Sequence, residues 1–338
     1  MIEAQPVTTF AKKGLAIEVQ NLDKVYREGI FFKKGIKAIS DLSFNVNQGE
    51  IFGLLGPNGA GKTTFIKVLL GIIRKSGGWA KMLDHDAGSR AGRNLCGYLP
   101  EQLRVPKHLT GKTALEYYGN LSNVPTSVVK EKSDRLLEMV GLTARAGDRV
   151  SKYSKGMQQR LGLAQAMLHE PKLLILDEPT DGLDPRARAE VRSIIPALRD
   201  QGATILMNSH ILQEVEMVCD HVAILDRGRL RYSGSVADIG AFVAEQQSQT
   251  PSTQLEVILD LLGEQEQISH LFQALPGSQF EVYGSDKIRV RTKLNDQDDV
   301  DRLVDTLRAA GVSIVNLSRK QITLEDAFLQ IVESNQTG

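Results

Sequence analysis

The chain has 338 residues, 41% of them hydrophobic and 24% charged, with Lys+Arg and Asp+Glu both at 41. That length holds one large domain or two of ordinary size, and the zero net charge supplies no general basic field for nucleic acid. No stretch offers the ~18 consecutive apolar residues that a membrane-spanning helix needs.

Met1 to Gly14 lacks the apolar core of a signal peptide and reads as a disordered lead-in. Leu15 to Gln20 then alternates as a strand does, and Ile51 to Leu55 is a continuous apolar run of the buried-strand type. Lys62 to Gly71 reads as a helix, and residues 110–168 carry no clear strand and read as a helical insert. Leu173 to Leu176 and Thr204 to Met207 are further buried strands, with Pro185 to Arg199 as the helix between them. Strands alternating with helices predict an α/β core on a mainly parallel sheet. Two cysteines, Cys96 and Cys219, lie far apart and outside any C-x-x-C pair, so they read as reduced thiols.

Periodicity fails over residues 245–254, which are polar, and a second pattern follows. Leu255 to Leu259 reads as a strand, and Ile268, Leu271, Phe272 and Leu275 form a helical stripe. Phe280 to Tyr283 and Ile288 to Val290 are strands around a Gly284-Ser285-Asp286 turn. Val300, Leu303, Val304 and Leu307 make a second stripe before Val312 to Leu317, the last strand. The order is βαββαβ, a ferredoxin-like α+β arrangement. The expected domains are 15–244 and 254–334.

The chemistry begins at Gly56-Pro57-Asn58-Gly59-Ala60-Gly61-Lys62-Thr63, which fits the P-loop spacing, with Thr64 next in line. Glycines let backbone N–H groups curl around a phosphate, and the following helix aims its positive end at the anion. Lys62 is placed for the β- and γ-phosphates, and the Thr63 hydroxyl for Mg²⁺. Downstream, Leu173-Leu174-Ile175-Leu176 ends in Asp177 and Glu178. Such a strand end opens onto the ligand crevice of an α/β sheet. Asp177 is the candidate second metal ligand and Glu178 the candidate general base.

Tyr153-Ser154-Lys155-Gly156-Met157-Gln158-Gln159-Arg160 resembles the signature of the ABC ATPases, and it precedes the Asp177-Glu178 strand as that family requires. Gly182-Leu183-Asp184-Pro185 looks like the family's D-loop, and His210 like its switch histidine. The resemblance implies an antiparallel β subdomain and places Tyr26 against adenine. It also implies a nucleotide clamped between the P-loop of one copy and Ser154, Gly156 and Gln158 of another, with Asp184 at the same interface. The family's Q-loop glutamine, which serves the metal, falls at Glu101 or Gln102. Lys155 stands where the family has its first glycine and reads as a solvated lysine rather than an added phosphate contact. Phe31-Phe32-Lys33-Lys34 reads as a solvated hairpin tip.

The variant signature, the Glu101 position and the tail Leu324-Glu325-Asp326-Ala327-Phe328 are similar to ATPases of exporters that move drugs, sodium, polysaccharides or lipids. The implied protein hydrolyses ATP with Mg²⁺ at the cytoplasmic face of a membrane, partnered by a permease and a second copy of itself. The alternative is a non-transport ABC ATPase acting on nucleic acid or ribosomes.

Overall fold

The computed structural model describes residues 14–28, 34–247, 255–273, 275, 277–283, 287–319 and 323–333. The lead-in before Gly14, the Phe31-Phe32-Lys33 tip, residues 248–254 and the Gly284-Ser285-Asp286 turn lie outside these. The chain divides into two compact units, one reaching Ala237 and taking in the chain from Ile331, the other Asp238–Gln330.

The first unit opens with an antiparallel sheet. Strands β1 (Leu15–Glu28), β2 (Lys34–Asn47), β4 (Gly77–Met82) and β5 (His85–Asp86) pair in the order β2-β1-β4-β5. Strand β1 outruns the Leu15 to Gln20 alternation because its register shifts between Val19 and Leu22, where Asn21 takes a φ of 47°. Each shift moves later side chains to the other face, so the pattern is lost while the pairing continues.

Beside it lies a six-stranded sheet in the order β10-β9-β3-β8-β7-β6. These strands are β3 (Ile51–Leu55), β6 (Cys96–Leu99), β7 (Leu173–Asp177), β8 (Thr204–Asn208), β9 (His221–Asp226) and β10 (Arg229–Ser235). All neighbours are parallel except the β9–β10 pair. Every residue of β3, β7 and β8 is buried, as expected where helices cover both faces of a parallel sheet. The expected parallel α/β core is therefore present.

Helix α1 (Lys62–Leu69) follows β3 directly, and α2 (Arg90–Asn94) precedes β6. Phe44 of β2 stacks on Phe52 of β3 at 5.5 Å and tilts against Phe65 of α1 at 5.2 Å. One aromatic cluster thus locks both sheets to the helix that must face the phosphates, each ring contributing roughly 1.5–3 kcal/mol by burial. Between β6 and β7 the insert is helical: α3 (Gly111–Leu121), α4 (Thr126–Met139) and α5 (Lys155–Ala166). Its one extended pairing among the described residues is a lone bridge between Thr110 and Arg149. Helix α6 (Pro185–Asp200) links β7 to β8, and α7 (Leu212–Val218) links β8 to β9.

The second unit begins with α8 (Ile239–Gln247). The stretch from Glu245, expected to be aperiodic, therefore starts inside a helix anchored by the buried Ile239 and Val243. Next come β11 (Leu255–Leu262), α9 (Gln265–Leu271), β12 (Gln279–Tyr283), β13 (Lys287–Leu294), α10 (Gln297–Ala309) and β14 (Ser313–Arg319). They pair antiparallel in the order β12-β13-β11-β14, the ferredoxin-like order. Ile268, Phe272, Val300, Leu303 and Leu307 of the helical stripes are buried against Val257, Leu259, Leu261, Ile288 and Val290 of the sheet. Helix α11 (Leu324–Glu333) closes the described chain with Leu324, Ala327 and Ile331 buried.

Candidate active site

The P-loop, Asp177, Glu178 and His210 gather where β3, β7 and β8 end. Beyond β3 the chain turns through Gly56, Gly59 and Gly61, all at positive φ. At Gly56 a β-carbon would sit 2.2 Å from the Leu225 carbonyl oxygen, so no other residue fits. The loop is fastened from behind. The Gly228 N–H donates to the Ala60 carbonyl at 3.0 Å, and the Gly228 carbonyl accepts from Ser40 at 2.7 Å. Strand β2 is thereby tied to the loop, and it carries Ile36, the register partner of Tyr26. Tyr26 is exposed, with the Lys24 ammonium 4.8 Å from its ring centre.

Lys62 is only 6% exposed. Its Nζ curls back to donate to the Gly56 carbonyl at 2.5 Å and the Pro57 carbonyl at 3.2 Å. Burial holds its pKa below the ordinary lysine value, and the charges of Glu178 and Asp177 oppose that fall. Those two loop carbonyls accept from this buried cation, and a phosphate oxygen is a stronger acceptor than either.

Asp177 ends β7 at 2% exposure. Its Oδ1 accepts from Asn208 Nδ2 at 2.6 Å, and Tyr98 OH lies 3.5 Å from its Oδ2. Burial, then the Asp177 charge, pushes the Tyr98 hydroxyl up to about 12, so it stays a donor. Asn208 and Tyr98 escaped the sequence reading. The available signal was position, since each sits at the end of a strand flanking β7.

Glu178 is held at a φ of 52° by its N–H bond to the Asn208 carbonyl at 2.9 Å. Its Oε2 accepts from the His210 backbone N–H at 3.3 Å and faces His210 Nδ1 at 2.7 Å. That geometry requires the proton on Nδ1. Burial raises the Glu178 pKa above the ordinary value, while the His210 contacts and Lys62 pull it down. The result is a partly buried carboxylate with a raised pKa that feels the charge of the buried Lys62. Thr180 donates to Glu214, both buried, which fixes the turn after Glu178 to α7.

The signature residues cap a helix. Ser154 is the N-cap of α5, its Oγ accepting from Met157 N–H at 3.2 Å, and Gln158 donates to the Tyr153 carbonyl at 3.1 Å. Asp184 caps α6 in the same way, accepting from Ala187 N–H at 2.9 Å. Lys155, expected to be solvated, is 57% exposed, and its Nζ lies 3.7 Å from Asp181 Oδ2. Glu101 and Gln102 are exposed and line a cleft of about 370 Å³ with Lys155, Gln158 and Asp181. The structure thus brings the P-loop, Asp177, Glu178 and His210 together in one chain. Ser154, Gly156 and Gln158 make their observed contacts elsewhere.

A glycine-rich loop around a buried lysine, with an acid pair at the end of a neighbouring parallel strand, defines a P-loop nucleotide-hydrolysing protein. The ABC transporter family profile matches residues 39–181. An uncharacterised ABC transporter ATP-binding protein of Synechocystis is 36% identical over 335 residues, spanning 98% of this chain and 89% of that one. A daunorubicin resistance ATP-binding protein of Streptomyces coeruleorubidus is 30% identical, spanning 94% of this chain and 95% of its own. A solved ATP-binding subunit of an ABC transporter superposes with a TM-score of 0.58 at 30% identity, over 67% of this chain and 92% of its own. The chain belongs to the ABC transporter ATP-binding proteins and is an ATPase subunit. Members of this family dimerise and work with membrane permeases, and among the described residues no helix is long and apolar enough to cross a membrane.

Proposed function

We propose that this ATPase drives an exporter, closing on ATP as a head-to-tail pair of identical chains beside a membrane permease. The observation that carries the catalytic reading is the pairing of Glu178 Oε2 with His210 Nδ1 at 2.7 Å, beside the buried Lys62. Export is supported by the drug-resistance name of a full-length relative. Through its permease the subunit would sit at the cytoplasmic face.

In this reading Lys62 leaves the Gly56 and Pro57 carbonyls for the β- and γ-phosphates, and the P-loop amides, with Thr64, hold the rest. Tyr26 stacks on the base. Glu178 takes the proton of the attacking water, and His210 keeps its carboxylate aimed. Ser154, Gly156 and Gln158 meet the γ-phosphate of the nucleotide on the twin chain, with Asp184 at the same seam. A two-fold axis makes both sites complete.

The residues fit Mg²⁺. Asn208 Oδ1 is a buried oxygen with no hydrogen-bond partner, next to Asp177. Mg²⁺ bound with a nucleotide takes one or two carboxylates and keeps phosphate oxygens and water as its other ligands. Thr63 and Asp177 would hold it, with Glu101 or Gln102 reaching in from the cleft, and it would neutralise phosphate charge.

The test is light scattering on the Glu178→Gln chain. ATP should convert monomer to dimer, and Ser154→Arg should block this. A monomer at high concentration with ATP bound would sink the paired-site reading. Co-purification of a permease, and drug accumulation in cells lacking the pair, test export.

A further inference from the structure

Asp181 stands between two elements that the reading above treats separately. Its Oδ2 faces the Lys155 ammonium at 3.7 Å, and its Oδ1 faces His210 Nε2 at 3.9 Å. The other ring nitrogen, Nδ1, is the one on Glu178 at 2.7 Å. A continuous line therefore runs Lys155, Asp181, His210, Glu178 within one chain, from the first residue of helix α5 to the candidate base.

The line is built. Lys155 occupies a place where the resembled signature has glycine, so its side chain needs room of its own. Gly182 supplies it: at φ 62°, a β-carbon there would lie 2.2 Å from Lys155 Nζ. The lysine head thus rests over the bare face of Gly182 and reaches Asp181. Stability does not explain this arrangement. Lys155, Asp181 and His210 are 57%, 45% and 52% exposed, and exposed ion pairs add little. The distances also exceed hydrogen-bond length, so Lys155 meets Asp181 through charge and Asp181 meets His210 through its position beside the ring. With Glu178 anchoring one edge of the imidazole, a carboxylate at the other edge limits rotation of the ring.

We propose that Asp181 is a positioning residue for hydrolysis, holding His210 against Glu178, and that Lys155 acts through Asp181 by keeping its carboxylate in place. The signature helix would then set the geometry of the base in its own chain, besides any contact it makes with the twin. This rests on the assignment of Glu178 and His210 above.

The experiment measures kcat and KM for ATP in the full chain carrying Asp181→Asn, Lys155→Met, both together, and Glu178→Gln as reference. Asp181→Asn should lower kcat by up to the ~10²-fold that a 1 Å misplacement of a catalytic group costs, with KM within about twofold of the parent. Lys155→Met should lower kcat in the same direction by less. The double variant should match Asp181→Asn alone, because one residue acts through the other. Asp181→Glu should restore most of the rate. An unchanged kcat in Asp181→Asn, or effects of the two variants that multiply, would overturn the proposal. If instead Glu178→Gln hydrolyses at the parental rate, the assignment of the base itself has failed.

Discussion

The two helix-covered sheets use their polar residues in opposite ways. In the parallel sheet, β7 and β8 are buried throughout, and the polar side chains Asp177 and Asn208 come at their final residues. In the second unit, β13 alternates, with Ile288, Val290 and Leu294 buried and Lys287, Arg289, Arg291 and Lys293 on the opposite face. Its charges are met locally, Arg289 by Asp260 at 2.8 Å and Arg291 by Glu281 at 3.7 Å. In this sheet the basic side chains stand on the more open face, and Arg289 and Arg291 are paired across neighbouring strands. A sheet that ends buried strands in Asp177 and Asn208, with a buried lysine at the start of the following helix α1, concentrates polar groups where a ligand can meet them.

The sharpest break of this contrast is Glu178→Gln, which should lower steady-state hydrolysis by ~10²–10⁴ and leave ATP binding intact. Lys62→Met should lower kcat/KM by ~10²–10³, the weight of a donor to developing charge, and weaken nucleotide binding in calorimetry. In the second unit, Phe272→Ala removes a fully buried ring and should cost ~3–5 kcal/mol of that unit's unfolding free energy in denaturant titration. It should leave the rate per folded molecule unchanged, and a lost rate in the folded variant would erase the distinction. A chain ending at Gln247 should bind ATP within about twofold of the full chain in calorimetry, since every phosphate-handling residue lies in the first unit. Loss of binding in that folded chain would mean the second unit helps build the site. The smallest effect is expected at Cys96, whose thiol burial pushes up to about 12. Held neutral at pH 8, it should resist alkylation until the chain unfolds, as should Cys219, raised by the same cause.

What the sequence made legible was whatever a short run of residues determines alone. Ile51 to Leu55 and Leu173 to Leu176 read as buried strands and are buried strands, and the glycine loop and Asp177-Glu178 that follow them fit the pattern of a phosphate site. The βαββαβ order of the second unit was visible because β13 and the two stripes each keep one face apolar. Helix α8 was hidden, because Glu245-Gln246-Gln247 form helix readily but carry no apolar beat. The bonds from Asn208 to Asp177 and the pair Lys155–Asp181 were invisible for another reason. They join residues 31 and 26 positions apart, and only the ordering of β7, β8 and α5 brings them together.

Glu178 adopts the left-handed backbone at φ 52°, a conformation that costs a residue with a β-carbon about 1 kcal/mol. Selection for stability alone would therefore favour glycine at position 178, and selection for turnover would favour a carboxylate. Glycine at 178 should give a chain that melts slightly higher, is inert, and still binds ATP. Random libraries screened for thermal tolerance would then drift toward silent subunits, unless the screen also demands that the nucleotide be spent.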